Sequence, residues 1–366
     1  MYHTIYLYLP MDGLYYSHLF KSLHNLSIRE GKKFFKSQTK KDCYECHLFQ
    51  ENGILIYLRS TKYIIGNNHV HYHAMEIRMN PKMLLQQKEY IQISRFDDYP
   101  AIEQMFFNLF AEAQKNMLNN DDIINQFSPI NSIAAYKVNR IDYCVNLFSA
   151  TAAQFIELIK RADIPKKFKP VMVYDSTSKR KKLYKNAYYV KNKSVCLNFY
   201  DKQYQLLQVR DDIVAADANG IIRFEVQCEK SKVNNLCRKY SISNSLYNLS
   251  QDELSQSTLL KYYISSIGVS DYYTLTDAKK IIRDATNYTN KKKQYMIAVL
   301  DLISQKKYVW KARNESNICP KKFDKTLKHL AELGINPVTI PSRWKIQFLP
   351  NLLPDIIRVM KGNKCS

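Results

Sequence analysis

The chain has 366 residues, 46% hydrophobic and 24% charged, which excludes a disordered or fibrous sequence and allows one large domain or two. Its formal net charge of +22 favours a polyanionic partner, nucleic acid or an anionic membrane surface. No run of about 18 apolar residues is present to span a bilayer, so nucleic acid is the favoured partner and no membrane is expected.

Met1 to Leu9 alternates as a first strand and lacks a signal peptide's basic start and cleavage site, so a cytoplasmic location is expected. Period-two alternation predicts strands over 2–9, 54–60 and 69–79. A helix is expected over about 100–119, where Ile102, Met105, Phe106, Leu109, Phe110 and Ala113 form an apolar stripe. A strand at 137–148 follows, then a helix at about 151–163 that Ser149 or Thr151 can cap. A short strand at 170–175 and a basic connection at 176–193 lead to a strand ending near Lys202, and another strand covers 220–229. This order predicts an α+β fold: a largely antiparallel sheet with helices on one face and its charged face open.

From about residue 246 the pattern turns helical, at 251–267, 274–286, 291–306, 320–333 and 351–360. The expected domains are therefore 1–245, carrying the charged face, and 246–366, an α-helical C-terminal domain. In the second, Lys321 to Leu330 reads as a basic amphipathic helix stopped by Gly334. Two readings stay open for it, a DNA-binding helix-turn-helix-like domain or an ordinary bundle with a solvated basic face.

Side-chain parity picks out a candidate site. Arg140, Asp142 and Asn146 share one face of their strand, opposite Ile141, Tyr143, Val145 and Leu147. Asn198, Tyr200 and Lys202 oppose Val195, Leu197 and Phe199, and Arg223, Glu225 and Gln227 oppose Ile222, Phe224 and Val226. Glu76 and Arg78 extend the pattern on an earlier strand. Carboxylates gathered on one face repel unless a cation joins them, and oxygen ligands suit Mg²⁺ or Mn²⁺. A tyrosine hydroxyl beside such a metal can attack a phosphodiester, leaving a phosphotyrosine and a free 3′-hydroxyl. The bland alternative is a solvent face of cross-strand ion pairs.

Arg140-Ile141-Asp142, a strand ending Tyr200-Asp201-Lys202, and Arg223-Phe224-Glu225 together resemble the gene II replication initiators of filamentous phages and related phage and plasmid replication proteins. The resemblance continues at Met75 to Leu84 and at Phe323 to Pro337, and so spans most of the chain. It implies an HUH-endonuclease-like core. It also implies a rolling-circle initiator in a bacterial host cell, a site-specific single-strand endonuclease and ligase forming a 5′-phosphotyrosine. Position by position, the nucleophile falls on Tyr200, its companion lysine on Lys202, and acidic positions on Asp142, Glu225 and Glu76. Chemistry and parity make those three carboxylates the expected ligands of Mg²⁺ or Mn²⁺, with Arg140, Arg223 and Arg78 as DNA-binding cations. The implied partners are origin DNA, single-stranded or hairpin with flanking duplex, and a host helicase or polymerase. The alternative is a catalytically inactive nucleic-acid-binding replication regulator.

Three local features complicate this reading. His69-Val70-His71 and His71-Tyr72-His73 can present paired imidazoles to a metal, but His71 and His73 have the opposite parity to Glu76. Tyr204 lies four residues after Tyr200, where a second nucleophile would sit if both were on a helix. Cys43 and Cys46 form a single pair, half of a zinc site.

Overall fold

The computed structural model describes residues 1–65, 68–86, 91–118, 129–175, 180–184, 186–208 and 215–362. The first elements are β1 (Tyr2–Met11), α1 (Gly13–Arg29), β2 (Phe34–Lys36), β3 (Cys43–Cys46), β4 (Ile54–Ile65), β5 (Asn68–Met79), α2 (Pro81–Leu84) and α3 (Tyr99–Leu118). Then come β6 (Lys137–Phe148), α4 (Ala152–Ile159), β7 (Lys169–Pro170), β8 (Met172–Asp175), β9 (Arg180–Leu183), β10 (Ala187–Lys191), β11 (Val195–Asp201), α5 (Lys202–Leu207) and β12 (Ile221–Glu229). The remainder is mostly helical: α6 (Lys230–Tyr240), α7 (Leu246–Leu249), α8 (Asp252–Ser266), β13 (Tyr272–Tyr273), α9 (Leu275–Asp284), α10 (Asn290–Lys306), α11 (Val309–Glu315), α12 (Pro320–Glu332), β14 (Phe348–Leu349) and α13 (Leu353–Met360). The chain is thus α+β, an antiparallel sheet followed by C-terminal helices. Of the basic connection at 176–193, residues 176–179 and 185 lie outside the described residues.

Two compact units interleave along the chain: Met1–Cys144 with Gln227–Gln256, and Val145–Val226 with Ser257–Ser366. The units part within β6, β12 and α8. The expected boundary at 245/246 marks a different property, the change from strands to helices.

In the first unit the strand order is β2-β3-β4-β5-β1-β6, and each of these neighbouring pairs is antiparallel. Register aligns the apolar faces: Ile56 lies opposite Ile77 and Ile77 opposite Leu7, while Leu58, Met75 and Leu9 form the next row. All six are at most 4% exposed, so a one-residue slip of any strand would turn this row out to water. The α3 stripe is buried as its spacing predicts, with Ile102, Phe106, Phe110, Ala113 and Met117 fully covered. α1, which alternation does not reveal, opens on Asp12, whose carboxylate accepts from the Tyr15 backbone N–H at 2.8 Å. Ser22 of α1 donates to the Ala113 carbonyl at 2.9 Å and ties the two helices together.

In the second unit the order is β6-β12-β11-β10-β7, and the β11–β10 and β10–β7 pairs are antiparallel. Phe199 and Phe224 stack at 4.2 Å between ring centroids, and Tyr263 of α8 meets both edge-on at 5.8 and 5.9 Å. The later helices share a core of Ala278, Ile282, Met296, Leu300, Leu330 and Ile335. α9 and α10 start at Thr274 and Thr289, whose side chains cap them, and α12 stops before Gly334, at φ +69°.

Gly53 has φ +76°, and a Cβ there would lie 2.3 Å from the Met83 Cβ and 3.0 Å from the Asn80 carbonyl. Gly53→Ala must therefore strain the turn and push α2 aside. It is expected to cost about 1–3 kcal/mol, read as a lower urea midpoint with an unchanged m-value.

Candidate active site

The second unit places Tyr200 and Glu225 together. On β11, Leu197 and Phe199 are fully buried on the apolar side, so Asn198 and Tyr200 point to the other. On β12, Ile222, Phe224 and Val226 are fully buried, which sends Arg223 and Glu225 to the opposite face. The Tyr200 hydroxyl donates to Glu225 Oε2 at 3.3 Å. Arg223 Nε donates to Asn146 Oδ1 at 2.7 Å.

This polar face is not open. Arg223 is 0% exposed and Glu225 7%, and in the first unit Asp142 is 2% exposed. Ionised groups leave water only when other groups replace their hydration, and these three are held by hydrogen bonds. Of the three expected DNA-binding arginines, Arg223 is fully buried, Arg140 is engaged by Asp142, and only Arg78 is exposed.

The expected strand through Lys202 ends one residue sooner. Asp201 caps α5, its Oδ1 accepting from the Tyr204 N–H at 3.0 Å, so strand parity stops there. Lys202 therefore does not extend the Tyr200 face as a strand residue. It is 3% exposed and its Nζ donates to Gln205 Oε1 at 2.8 Å. Tyr200 on its strand and Tyr204 on α5 line one cleft of about 570 Å³, together with Tyr184, Tyr189, Asn198 and Gln205. The two tyrosines reach it from different elements, so they do not form the one-turn helical pair.

The other two carboxylates lie in the first unit. Arg140 grips Asp142 with two parallel hydrogen bonds, Nε to Oδ1 at 2.7 Å and Nη2 to Oδ2 at 2.8 Å. The same guanidinium lies 3.7 Å from Glu229 and over the Tyr6 ring at 5.1 Å. Burial opposes the Arg140 charge, but Asp142 outweighs it and raises the guanidinium's pKa. Glu76 accepts from Lys40 Nζ and Arg59 Nε, each at 2.9 Å. Burial alone would raise the Glu76 carboxyl, but the two cations prevail and hold it below its ordinary range.

Glu76 and Asp142 do not converge. Glu76 lies level with Tyr8, and Tyr8 with Lys137, so Asp142 is two strands across and five residues along, roughly 15–20 Å away. Among the described residues no three His, Cys, Asp or Glu side chains cluster closely enough to hold a metal ion. Glu76 and Asp142 are therefore too far apart to share one of the expected Mg²⁺ or Mn²⁺ ions, and each is held instead by cations, Glu76 by Lys40 and Arg59 and Asp142 by Arg140.

The histidines and cysteines fare similarly. The His71 and His73 rings stack at 6.1 Å, and His73 leans on Tyr16 at 4.8 Å. Burial, then the neighbouring His71, lowers the His73 pKa and favours the neutral ring. The side chain of His69 lies outside the described residues. Cys43 and Cys46 are three residues apart on β3, which turns them to opposite faces, and Cys46 Sγ lies 3.5 Å from Ser27 Oγ. A strand thus prevents the pair from sharing one zinc ion.

A second cleft, of about 470 Å³, lies among the helices of the second unit, where the sequence signals only a diffuse positive charge. Arg161, Lys307 and Arg343 line it with the hydroxyls of Thr276 and Thr339, and its described lining carries no carboxylate. Among the described residues, no helix is long and apolar enough to cross a membrane.

The Glu76 ion pairs generate a pH-dependent expectation. A carboxyl whose pKa is lower folded than unfolded adds stability above its ordinary value of 4.5 and loses it as pH falls through the folded value. Glu76→Gln should destabilise the chain by about 1–3 kcal/mol at pH 7, and the gap to the wild type should close in urea titrations below pH 4.5.

No model of a known protein family matches the chain, and no curated protein matches it. Among solved structures, a rolling-circle replication initiator protein from Geobacillus stearothermophilus is similar over 93% of this chain and 97% of that one, at 10% sequence identity and a TM-score of 0.36.

Proposed function

We propose that this protein is a rolling-circle replication initiator, and that Tyr200 is the nucleophile that nicks one strand of origin DNA. The observation that carries the proposal is the Tyr200 hydroxyl, hydrogen-bonded to the buried Glu225 carboxylate at 3.3 Å on the wall of a nucleotide-sized cleft. A phenol is a weak nucleophile until its proton has somewhere to go, and a carboxylate within hydrogen-bond reach supplies that place. As the Tyr200 oxygen bonds to phosphorus, its proton passes to Glu225 and the bond from phosphorus to the 3′-oxygen breaks. The strand's 5′ end is then held as a phosphotyrosine ester, and the departing 3′-oxygen takes up a proton. In the reverse step a 3′-hydroxyl attacks that ester and Glu225 returns the proton to the phenol, which rejoins the strand.

The net charge of +22 supports a DNA partner, and the order of Arg-Ile-Asp, Tyr-x-Lys and Arg-Phe-Glu segments supports this reaction. The cleft lined by Arg161, Lys307 and Arg343 is our candidate for holding duplex phosphates beside the nick. Docking of a host helicase or polymerase belongs to the same proposal. One observation favours the second reading, an inactive DNA-binding regulator: the Arg140-x-Asp142 pair is a closed ion pair, with both Asp142 oxygens taken by Arg140.

Incubating the protein with 3′-labelled oligonucleotides tiled across its own replicon, with Mg²⁺ or Mn²⁺ present, should trap a covalent adduct on a denaturing gel. Tyr200→Phe should abolish it, and Glu225→Gln should slow it by about 10²- to 10⁴-fold. Adduct formation by Tyr200→Phe at the wild-type rate would remove the nucleophile assignment, and no adduct from any protein or oligonucleotide would leave the regulator. Lys307→Ala with Arg343→Ala should weaken duplex binding and lower the salt slope of log K by up to about two, measured by anisotropy titration.

A further inference from the structure

We infer that the cleft beside Tyr200 holds a single unpaired base next to the scissile phosphate and reads its edge with amide side chains. The inference rests on the nicking reading above. At about 570 Å³ the cleft falls within the roughly 300–1,000 Å³ range of small-molecule sites. Its described lining holds four tyrosines and four amide side chains, with no lysine or arginine. The lone charged residue there is Asp201, and one of its oxygens already caps α5. A phosphate would need cations or a row of free N–H groups, so this lining suits the uncharged part of a nucleotide. Tyrosine faces stack on bases, and Tyr184 and Tyr189 stand 5.4 Å apart at 54°, a wall for a flat ring.

Two hydrogen-bonding atoms give the cleft its polarity. Asn198 Oδ1 is buried with no hydrogen-bond partner among the described residues, a costly state unless a donor arrives. Lys202 occupies Gln205 Oε1 at 2.8 Å, which leaves the Gln205 amide nitrogen as a donor. One acceptor and one donor match the adjacent donor and acceptor that every base presents once its pairing partner is gone. Asn198 lies two residues before Tyr200 on the same strand face, roughly 7 Å away, so the base read there adjoins the phosphate that Tyr200 attacks. Lys202 thereby acts as a positioning residue, orienting Gln205 from behind the cleft wall.

The test uses full-length protein and nick-site oligonucleotides carrying one abasic nucleotide at each position around the nick. Anisotropy measures binding and gels measure adduct formation. At one position next to the nick, losing the base should weaken binding by about tenfold or more. Asn198→Ala and, separately, Tyr184→Ala should shrink that penalty, and circular dichroism on both variants checks folding. Equal affinity for all abasic oligonucleotides, or a penalty unchanged in both folded variants, would overturn the base pocket even if Tyr200 still forms its adduct. A position-specific penalty without any adduct would instead keep the pocket and discard the nicking reaction.

Discussion

Two opposite charges excluded from water, Arg223 and Glu225, share one face of β12, and the candidate chemistry depends on their burial. A guanidinium or carboxylate taken out of water must regain its hydration from the protein, or folding loses several kcal/mol. Arg223 takes Asn146 from the neighbouring strand, and Glu225 takes the Tyr200 phenol. Both bonds are satisfied only at one strand register. The same constraint that sets the pairing thus aims the phenol of Tyr200, which lines the cleft, at the buried carboxylate.

The carboxylates that look alike in sequence meet different electrostatic fates. Asp142 is neutralised by a two-point grip from Arg140, and Glu76 lies between Lys40 and Arg59. Only Glu225 among them accepts its described bond from a neutral donor that could itself react. Asp142 and Glu76 therefore read as charge anchors of the first unit's sheet, and Glu225 as the carboxylate that receives the Tyr200 phenol.

The second unit also holds two clefts with different described linings. In their described linings, the cleft at Tyr200 carries aromatic and amide side chains and no cation, whereas the cleft at Arg343 carries three cations and no carboxylate. Bases and phosphates differ in just this way, one flat and neutral, the other compact and charged.

Most strands and helices were legible because each writes a short-range period. β6 occupies Lys137–Phe148 as alternation predicts, and the later helices follow their apolar stripes closely. α1 escaped because its buried stripe opens on two strand-favouring tyrosines, Tyr15 and Tyr16, ahead of Leu19 and Leu23. Parity also separated Tyr200 and Glu225 from the core residues beside them, since side-chain direction along a strand is a local property. It failed at Lys202, where the Asp201 cap turns the chain into a helix. What alternation could not contain was distance and exposure. Which cation reaches which carboxylate, that the charged face is closed, and that Glu76 lies far from Asp142 follow from strand order and packing. The sequence by itself determined the elements and the two faces of each strand, because those depend on neighbours along the chain. Only the tertiary structure decided the partners of each charge, because they come from strands and helices remote in sequence.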